Sequence, residues 1–115
     1  MDVAIHTDSI KENIVVPKNL SVKASKVVYA NEADVLNVAL FGMTAKEWEK
    51  QNKSKKGNIR DYADVYQLVC LANLESMNSE LIRAGMSQGE RLLKLNEMAI
   101  RQMRSLQGNM GVRRI

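Results

Sequence analysis

Hydrophobic positions recur at helical spacing along most of the chain. The clearest case is the stretch 88–107, where Leu92, Leu95, Ala99 and Met103 fall on one face and charged residues fall elsewhere. Apolar residues three and four positions apart are typical of a helix with one side in a core. Together with the capping signals, this spacing predicts five helices, near residues 7–15, 32–41, 45–51, 62–84 and 88–107.

Helix ends are predicted from capping residues. Thr44 and Ser87 each precede a glutamate by three positions, which fits the reciprocal capping box at a helix start. Asn31 and Asp61 begin looser versions, with a carboxylate three residues later. Glycine just past an apolar stretch predicts a left-handed residue that ends a helix. Such glycines are Gly42, Gly85 and Gly108.

The predicted fold class is all-α, a small bundle of about five helices. Because little more than Gly85 and Met86 separates the helices at 62–84 and 88–107, we expect a long antiparallel hairpin at the centre. The helix at 62–84 has a wide apolar stripe that includes Tyr62, Val65 and Val69, which predicts contacts on more than one side. We expect one domain over residues 1–107 and a flexible basic tail at 108–115.

Composition supports a folded helical domain and narrows the class of protein. The chain has 115 residues, of which 45% are hydrophobic and 4% aromatic, a balance that disfavours strand-rich folds. The net charge of +4 is spread evenly along the chain. The longest apolar run, residues 68–72, is far shorter than a membrane span, and the N-terminus does not resemble a secretory signal. We therefore expect a cytoplasmic location and no membrane partner.

Candidate catalytic and metal-binding residues are few. The single histidine, His6, and the single cysteine, Cys70, are distant in sequence and cannot supply the three or four ligands of a zinc site. Cys70 falls within an apolar helix, where a thiol is normally an inert packing residue. The acid pairs at 32/34 and 61/64 are interpreted as helix caps. The sequence predicts no catalytic residue, metal, cofactor or small-molecule substrate, and hence no enzyme.

Two other groups of side chains have both a structural and a functional interpretation. Basic residues of a polar loop and of the last helix could be a solvated surface or could contact nucleic-acid phosphates. They are Lys53, Lys55, Lys56, Arg60, Arg91, Lys94, Arg101 and Arg104. An apolar group around the start of the third helix could be a corner of the core or an interface anchor. This group contains Phe41, Met43 and Trp48.

Five stretches of the chain resemble one family. They are residues 5–13 (IHTDSIKEN), 28–42 (VYANEADVLNVALFG), 56–63 (KGNIRDYA), 90–92 (ERL) and 95–103 (LNEMAIRQM). Together they resemble the C-terminal region of bacterial and phage proteins that carry a KilA-N domain. In that family the KilA-N domain comes first and is regarded as the DNA-binding module, and this sequence does not include it. The resemblance therefore implies an accessory domain of a DNA-associated protein, or a free-standing fragment of one, and assigns no DNA-reading or catalytic residue here.

Two functional hypotheses follow. The first is a non-catalytic interaction domain, acting by self-association or partner binding, in a DNA-binding protein of a phage or mobile element. It would contact DNA indirectly, through the N-terminal module that this sequence lacks. The second is a nucleic-acid-binding domain in its own right, which would use the basic loop and the basic helix face.

Overall fold

The computed structural model describes residues 15–113, and side chains through residue 108. This part of the chain contains helices and no strand, which confirms the predicted all-α class. The α-helices are α1 (Glu32–Phe41), α2 (Ala45–Gln51), α3 (Val65–Arg83) and α4 (Gln88–Arg113), and 3-10 helices span Val22–Lys26 and Ile59–Tyr62. Of the first predicted helix, residues 7–14 lie outside the described residues, and Val15 is not helical.

Capping side chains fix most helix ends as predicted. Thr44 and Glu47 form both bonds of a capping box at the start of α2. The Asn31 side chain accepts a bond from the backbone of Asp34 at the start of α1. Gly42 and Gly85 have positive φ angles of 77° and 78°, so each provides the left-handed turn that ends a helix.

The start of α3 differs from the prediction. The helix begins after Asp64, whose side chain forms a capping box with Gln67. Asp61 instead belongs to the preceding 3-10 helix, where it forms a capping box with Asn58. Two capping boxes thus follow each other within ten residues, and Tyr62 lies in the short 3-10 helix between them. Asp61 is therefore not the N-cap of α3.

The end of α4 also differs from the prediction, since the helix continues through Gly108 to Arg113. A helical glycine costs about 1 kcal/mol relative to alanine, but each residue added to an existing helix also gains a backbone hydrogen bond. Among the described residues, no atom of another element lies within 4 Å of the position where a Cβ would stand at Gly108, so this glycine faces open space. The predicted tail thus begins as helix.

α4 is the central element of the fold. It packs against α1, against α3 and against the 3-10 helix Val22–Lys26. The α1–α4 contact is as extensive as the α3–α4 contact, so the predicted hairpin alone does not describe the centre. The residues of α4 that are completely buried are Leu92, Leu95, Ala99 and Met103.

A buried amide attaches the N-terminal segment to this centre. The Asn96 side chain, 1% exposed, accepts a bond of 2.9 Å from the backbone of Leu20. Its amide nitrogen donates to the carbonyl oxygens of Lys18 and Ala39, at 2.9 and 3.0 Å. One α4 side chain thus holds both the N-terminal segment and the last part of α1. Because these polar atoms find partners, burying them carries little penalty.

A second contact attaches the same segment two turns earlier on α4. Gln88 accepts a bond from the backbone nitrogen of Tyr29 and donates to its carbonyl oxygen, at 2.9 and 3.2 Å. Next to it, a Cβ on Gly89 would collide with the carbonyl oxygen of Ser25. The glycine therefore allows the 3-10 helix to lie directly against α4, a role separate from helix capping.

Candidate interaction surface

The outer face of α3 exposes apolar side chains. Val65, Leu68 and Val69 are 58%, 43% and 49% exposed, on the side of the helix opposite Leu74, which is fully buried. The prediction that this wide stripe is covered on more than one side is therefore wrong for its N-terminal half. Within the described residues, α4 and α1 are the α-helices that pack on α3, and both cover its inner side.

The outer face continues as an uncharged stripe. Ala72, Ser76 and Ser79 are exposed and follow Val65 and Leu68 at three- and four-residue steps. We call this set, with Val69, the α3 outer face. A stripe of about 15 residues spans roughly 21 Å along a helix. It is long enough to contact a whole helix of another molecule.

Charged residues lie at the edges and ends of the α3 outer face. Glu75 stands at one edge and pairs with Arg60 at 3.3 Å. Glu80 and Arg83 stand at the C-terminal end and pair with each other at 2.8 Å. All of these side chains are partly or largely exposed, so the ion pairs contribute little to stability. The central part of the face is left without charge.

An aromatic corner adjoins the start of α3. Trp48 is buried, and its ring centroid lies 5.2 Å from that of the half-exposed Tyr62. The Lys55 ammonium lies 5.1 Å from the centre of the Tyr62 ring, and the Tyr62 hydroxyl donates to the carbonyl oxygen of Lys56 at 2.6 Å. The basic loop is thus held against the corner. The Trp48 side chain belongs to the packed interior of this corner.

The other two apolar candidates, Phe41 and Met43, lie on a groove at the end of α1. Both are half-buried and line a groove of about 460 Å³ between residues 15–18 and the end of α1. Gln67 of α3 also lines this groove. The sequence grouped Phe41 and Met43 with Trp48 because they are neighbours along the chain. The structure places both of them on this groove, whose lining does not include Trp48.

Arg91 is buried, although the sequence suggested a place on the basic helix face. It is 7% exposed and its guanidinium contacts both carboxylate oxygens of Glu32. It also donates to Asn78 Oδ1 at 2.8 Å and to the carbonyl oxygen of Met86 at 3.1 Å. Asn78 in turn donates to Glu32 at 2.8 Å. This network joins α1, α3 and α4, so Arg91 is not free to contact a phosphate.

The network also changes the acid–base behaviour of Glu32. The hydrogen bond from Arg91 is the main cause that lowers the pKa of the Glu32 carboxyl below its ordinary value of 4.5, and Asn78 adds to it. Burial acts in the opposite direction but does not prevail. From its place in the sequence, Glu32 is expected to act as a carboxylate at a helix start. The structure adds a second role, in which it holds the central helix.

The remaining basic candidates do not form one surface. Lys53, Lys55 and Lys56 are exposed in the loop before α3, and Arg60 is paired with Glu75. The other three lie on the exposed side of α4, where two of them border a shallow depression of about 340 Å³ next to Asn19. The three are Lys94, Arg101 and Arg104. Within residues 15–108, none of these three has a carboxylate within 4.0 Å.

The candidate nucleophile is enclosed. Cys70 is fully buried, and burial raises the pKa of its thiol to about 11. A thiol with this pKa is almost entirely protonated at neutral pH and is a poor nucleophile. His6 lies outside the described residues. In residues 15–108 there is no cluster of three or more His, Cys, Asp or Glu side chains placed to hold a metal ion.

The comparisons with known proteins add no family. No family model matches the chain, and neither a curated protein nor a solved structure shows significant similarity to it. Among the described residues, no helix is both long and apolar enough to cross a membrane.

Proposed function

We propose that this protein is a non-catalytic interaction domain that binds another protein chain through the α3 outer face. The observation that supports this proposal is the position of Val65, Leu68 and Val69, three aliphatic side chains about half exposed on one helix face. Apolar side chains grouped on a surface favour protein contact because covering them releases water.

The family context of the proposal comes from the resemblance to KilA-N proteins. On that basis the domain would act beside a DNA-binding module in a protein of a phage or mobile element, in the bacterial cytoplasm. Its part would be to join that module to a partner or to a second copy.

In-cell photo-crosslinking tests the proposal. A photoreactive amino acid is placed at Val65 of the full chain in the cells that produce it, and adducts are identified by mass spectrometry. We expect protein adducts at Val65 and far fewer at Val28, a control position that is 89% exposed and lies before α1. Equal yields at the two positions would exclude the α3 outer face as a contact surface.

The second candidate function is direct contact with nucleic acid. The observation that favours it is the depression bordered by Arg101 and Arg104, whose guanidinium groups have no ion-pair partner among residues 15–108. Guanidinium groups free of carboxylates are suited to phosphate oxygens. The acidic Glu97 also borders the depression and weakens its positive potential. For this reason we rank the candidate second.

Duplex binding at several salt concentrations tests the second candidate. Each phosphate contact contributes about −0.9 to the slope of log K against log salt concentration. If the candidate is correct, replacing both Arg101 and Arg104 with alanine weakens binding and makes the slope shallower by about 2. Arg83→Ala, at an exposed arginine paired with Glu80, is the control and should change little. No binding at low salt excludes the candidate.

A further inference from the structure

We infer that the partner of the α3 outer face is an amphipathic helix of another protein, with acidic residues clustered at one of its ends. The inference rests on the proposed interaction role and names the chemistry of the partner. Two neighbouring features support it, the uncharged apolar stripe of α3 and the basic loop that precedes it. The basic loop, residues 52–58, contains no acidic residue and three lysines, Lys53, Lys55 and Lys56.

The basic loop is held at the N-terminal end of the α3 outer face. The Lys56 carbonyl oxygen accepts a bond of 2.6 Å from the Tyr62 hydroxyl, and the Lys55 ammonium lies 5.1 Å from the centre of the same ring. A capping box begins the 3-10 helix that follows the loop. Tyr62 is 50% exposed and lies three residues before Val65, the first residue of α3. The loop therefore places its positive charge beside the first exposed aliphatic side chain.

This positive charge is not neutralised within the described fold. Among residues 15–108, no carboxylate lies within 4.0 Å of the ammonium groups of the basic loop. The acids Glu75 and Glu80, which stand beside the face, are paired with Arg60 and Arg83. The surface is thus cationic at one end and uncharged in its centre. A complementary partner places carboxylates opposite the lysines and aliphatic groups opposite the stripe.

The pattern favours a protein helix over a uniformly charged partner. Nucleic acid and an anionic membrane are negative along their whole surface, so either would bring phosphates near Glu75 and Glu80 as well as near the lysines. A phosphate backbone also gains nothing by covering Val65, Leu68 and Val69. An amphipathic helix lays its apolar side along such a stripe and can confine its acidic residues to one end.

The length of the α3 outer face sets the size of the partner segment. A stripe of roughly 21 Å matches a helix of about 14 residues. A contact of this length buries less than about 1,200 Å² in total, which is the class of weak and transient complexes. We therefore expect a dissociation constant in the micromolar range. Binding should weaken at high salt, because salt screens the contacts between exposed lysines and carboxylates.

Selection from a random library of phage-displayed peptides of about 16 residues, with the full chain as bait, tests the partner chemistry. We expect enriched peptides to carry aliphatic residues at helical steps and a cluster of Asp and Glu at one end. Reversing the charge of all three loop lysines, to glutamate, should weaken their binding roughly tenfold or more. The matched control reverses three exposed lysines outside the loop and should change binding less than about twofold. These control lysines are Lys23, Lys26 and Lys94.

A second pair of variants tests the apolar stripe with the same peptides. Leu68→Glu should weaken binding roughly tenfold or more, because it would bury a carboxylate against the partner. Val28→Glu, at an exposed valine outside the face, should leave binding unchanged. Enriched peptides without an acidic cluster, or peptides that bind the loop-reversed variant equally well, overturn the inference. So does the enrichment of no peptide, including the case in which duplex DNA binds the lysines instead.

Photo-crosslinking at Val65 in cells separates this inference from the proposed function. Adducts that are lost in the loop-reversed variant and retained in the matched control support both. Adducts that persist in both variants keep the proposed function and overturn the acidic partner. Adducts at Val65 that are no more frequent than those at Val28, in the unmodified chain, contradict the proposed function itself.

Discussion

Replacing Arg91 with alanine removes the centre of a network that joins three helices. Asn78 Oδ1 and the carbonyl oxygen of Met86 each lose a donor, and Glu32 loses its ion-pair partner. A buried acceptor left without a donor costs about 1–3 kcal/mol. Breaking a fully buried ion pair costs about 3–5 kcal/mol. The Glu32 side chain is 41% exposed, so water replaces part of what it loses. We therefore expect a total loss of about 3 kcal/mol.

Urea unfolding followed by circular dichroism measures this loss. With an m-value of about 1.5 kcal/mol/M, a loss of about 3 kcal/mol lowers the unfolding midpoint by about 2 M. Arg101→Ala is the matched control, an exposed arginine on the same helix, and should change stability by no more than about 0.5 kcal/mol. If Arg91→Ala destabilises no more than this control, the guanidinium does not hold the three helices together.

A double-mutant cycle separates the pair from general damage to the core. Glu32→Ala and Arg91→Ala should each destabilise the protein. The double variant should be more stable than the sum of the two effects predicts, by about 1–2 kcal/mol, because neither charge is then left without its partner. Strict additivity would show that the two side chains act independently. That result would contradict the contact between Glu32 and Arg91.

Three further predictions concern packing, reactivity and pH. Gly89→Ala should destabilise the fold by about 1–2 kcal/mol, because the added Cβ would meet the carbonyl oxygen of Ser25. Gly108→Ala, in open space, should instead stabilise it by about 0.5–1 kcal/mol. Equal effects of the two variants in thermal melts would contradict the close approach of Ser25 to Gly89. Cys70 should react with a thiol reagent at pH 8 only in urea, and rapid native labelling would refute its burial. The stability that ionised Glu32 contributes should be complete above pH 4.5 and disappear as pH falls through its lowered pKa. The free energies of unfolding of wild type and Glu32→Gln should therefore converge in acid. A difference between them that stays constant with pH would contradict the lowered pKa.

Local sequence signals predicted the four α-helices of the described residues because these signals act over three or four residues. The capping box of Thr44 and the left-handed turns at Gly42 and Gly85 need only their own neighbours, and the structure confirms them. The same signal at Gly108 predicted a helix end there, and this prediction was wrong. A glycine can also remain within a helix, and α4 continues through Gly108. The predicted start of α3 was also wrong, because Asp61 and Asp64 both carry a capping signal. In the structure Asp64 caps α3, and Asp61 belongs to the preceding 3-10 helix.

Long-range contacts could not be predicted in the same way. Arg91 looked like one of several cations on α4, and only the approach of α1 and α3 shows that it is buried with Glu32. The amides Asn78 and Asn96, which interrupt apolar stripes, were an available signal, because a polar residue at a core position needs partners from elsewhere in the fold. The exposed face of α3 was missed because periodicity shows which residues are apolar but does not show which of them another helix covers.

Solvent paramagnetic relaxation of valine and leucine methyl groups is the most direct test of the central claim, that the α3 outer face is exposed in the isolated domain and therefore open to a partner. In dilute protein, a soluble nitroxide should broaden the methyl signals of Val65, Leu68 and Val69 about as strongly as those of Val28. Narrow signals from the three α3 residues would contradict the exposed face.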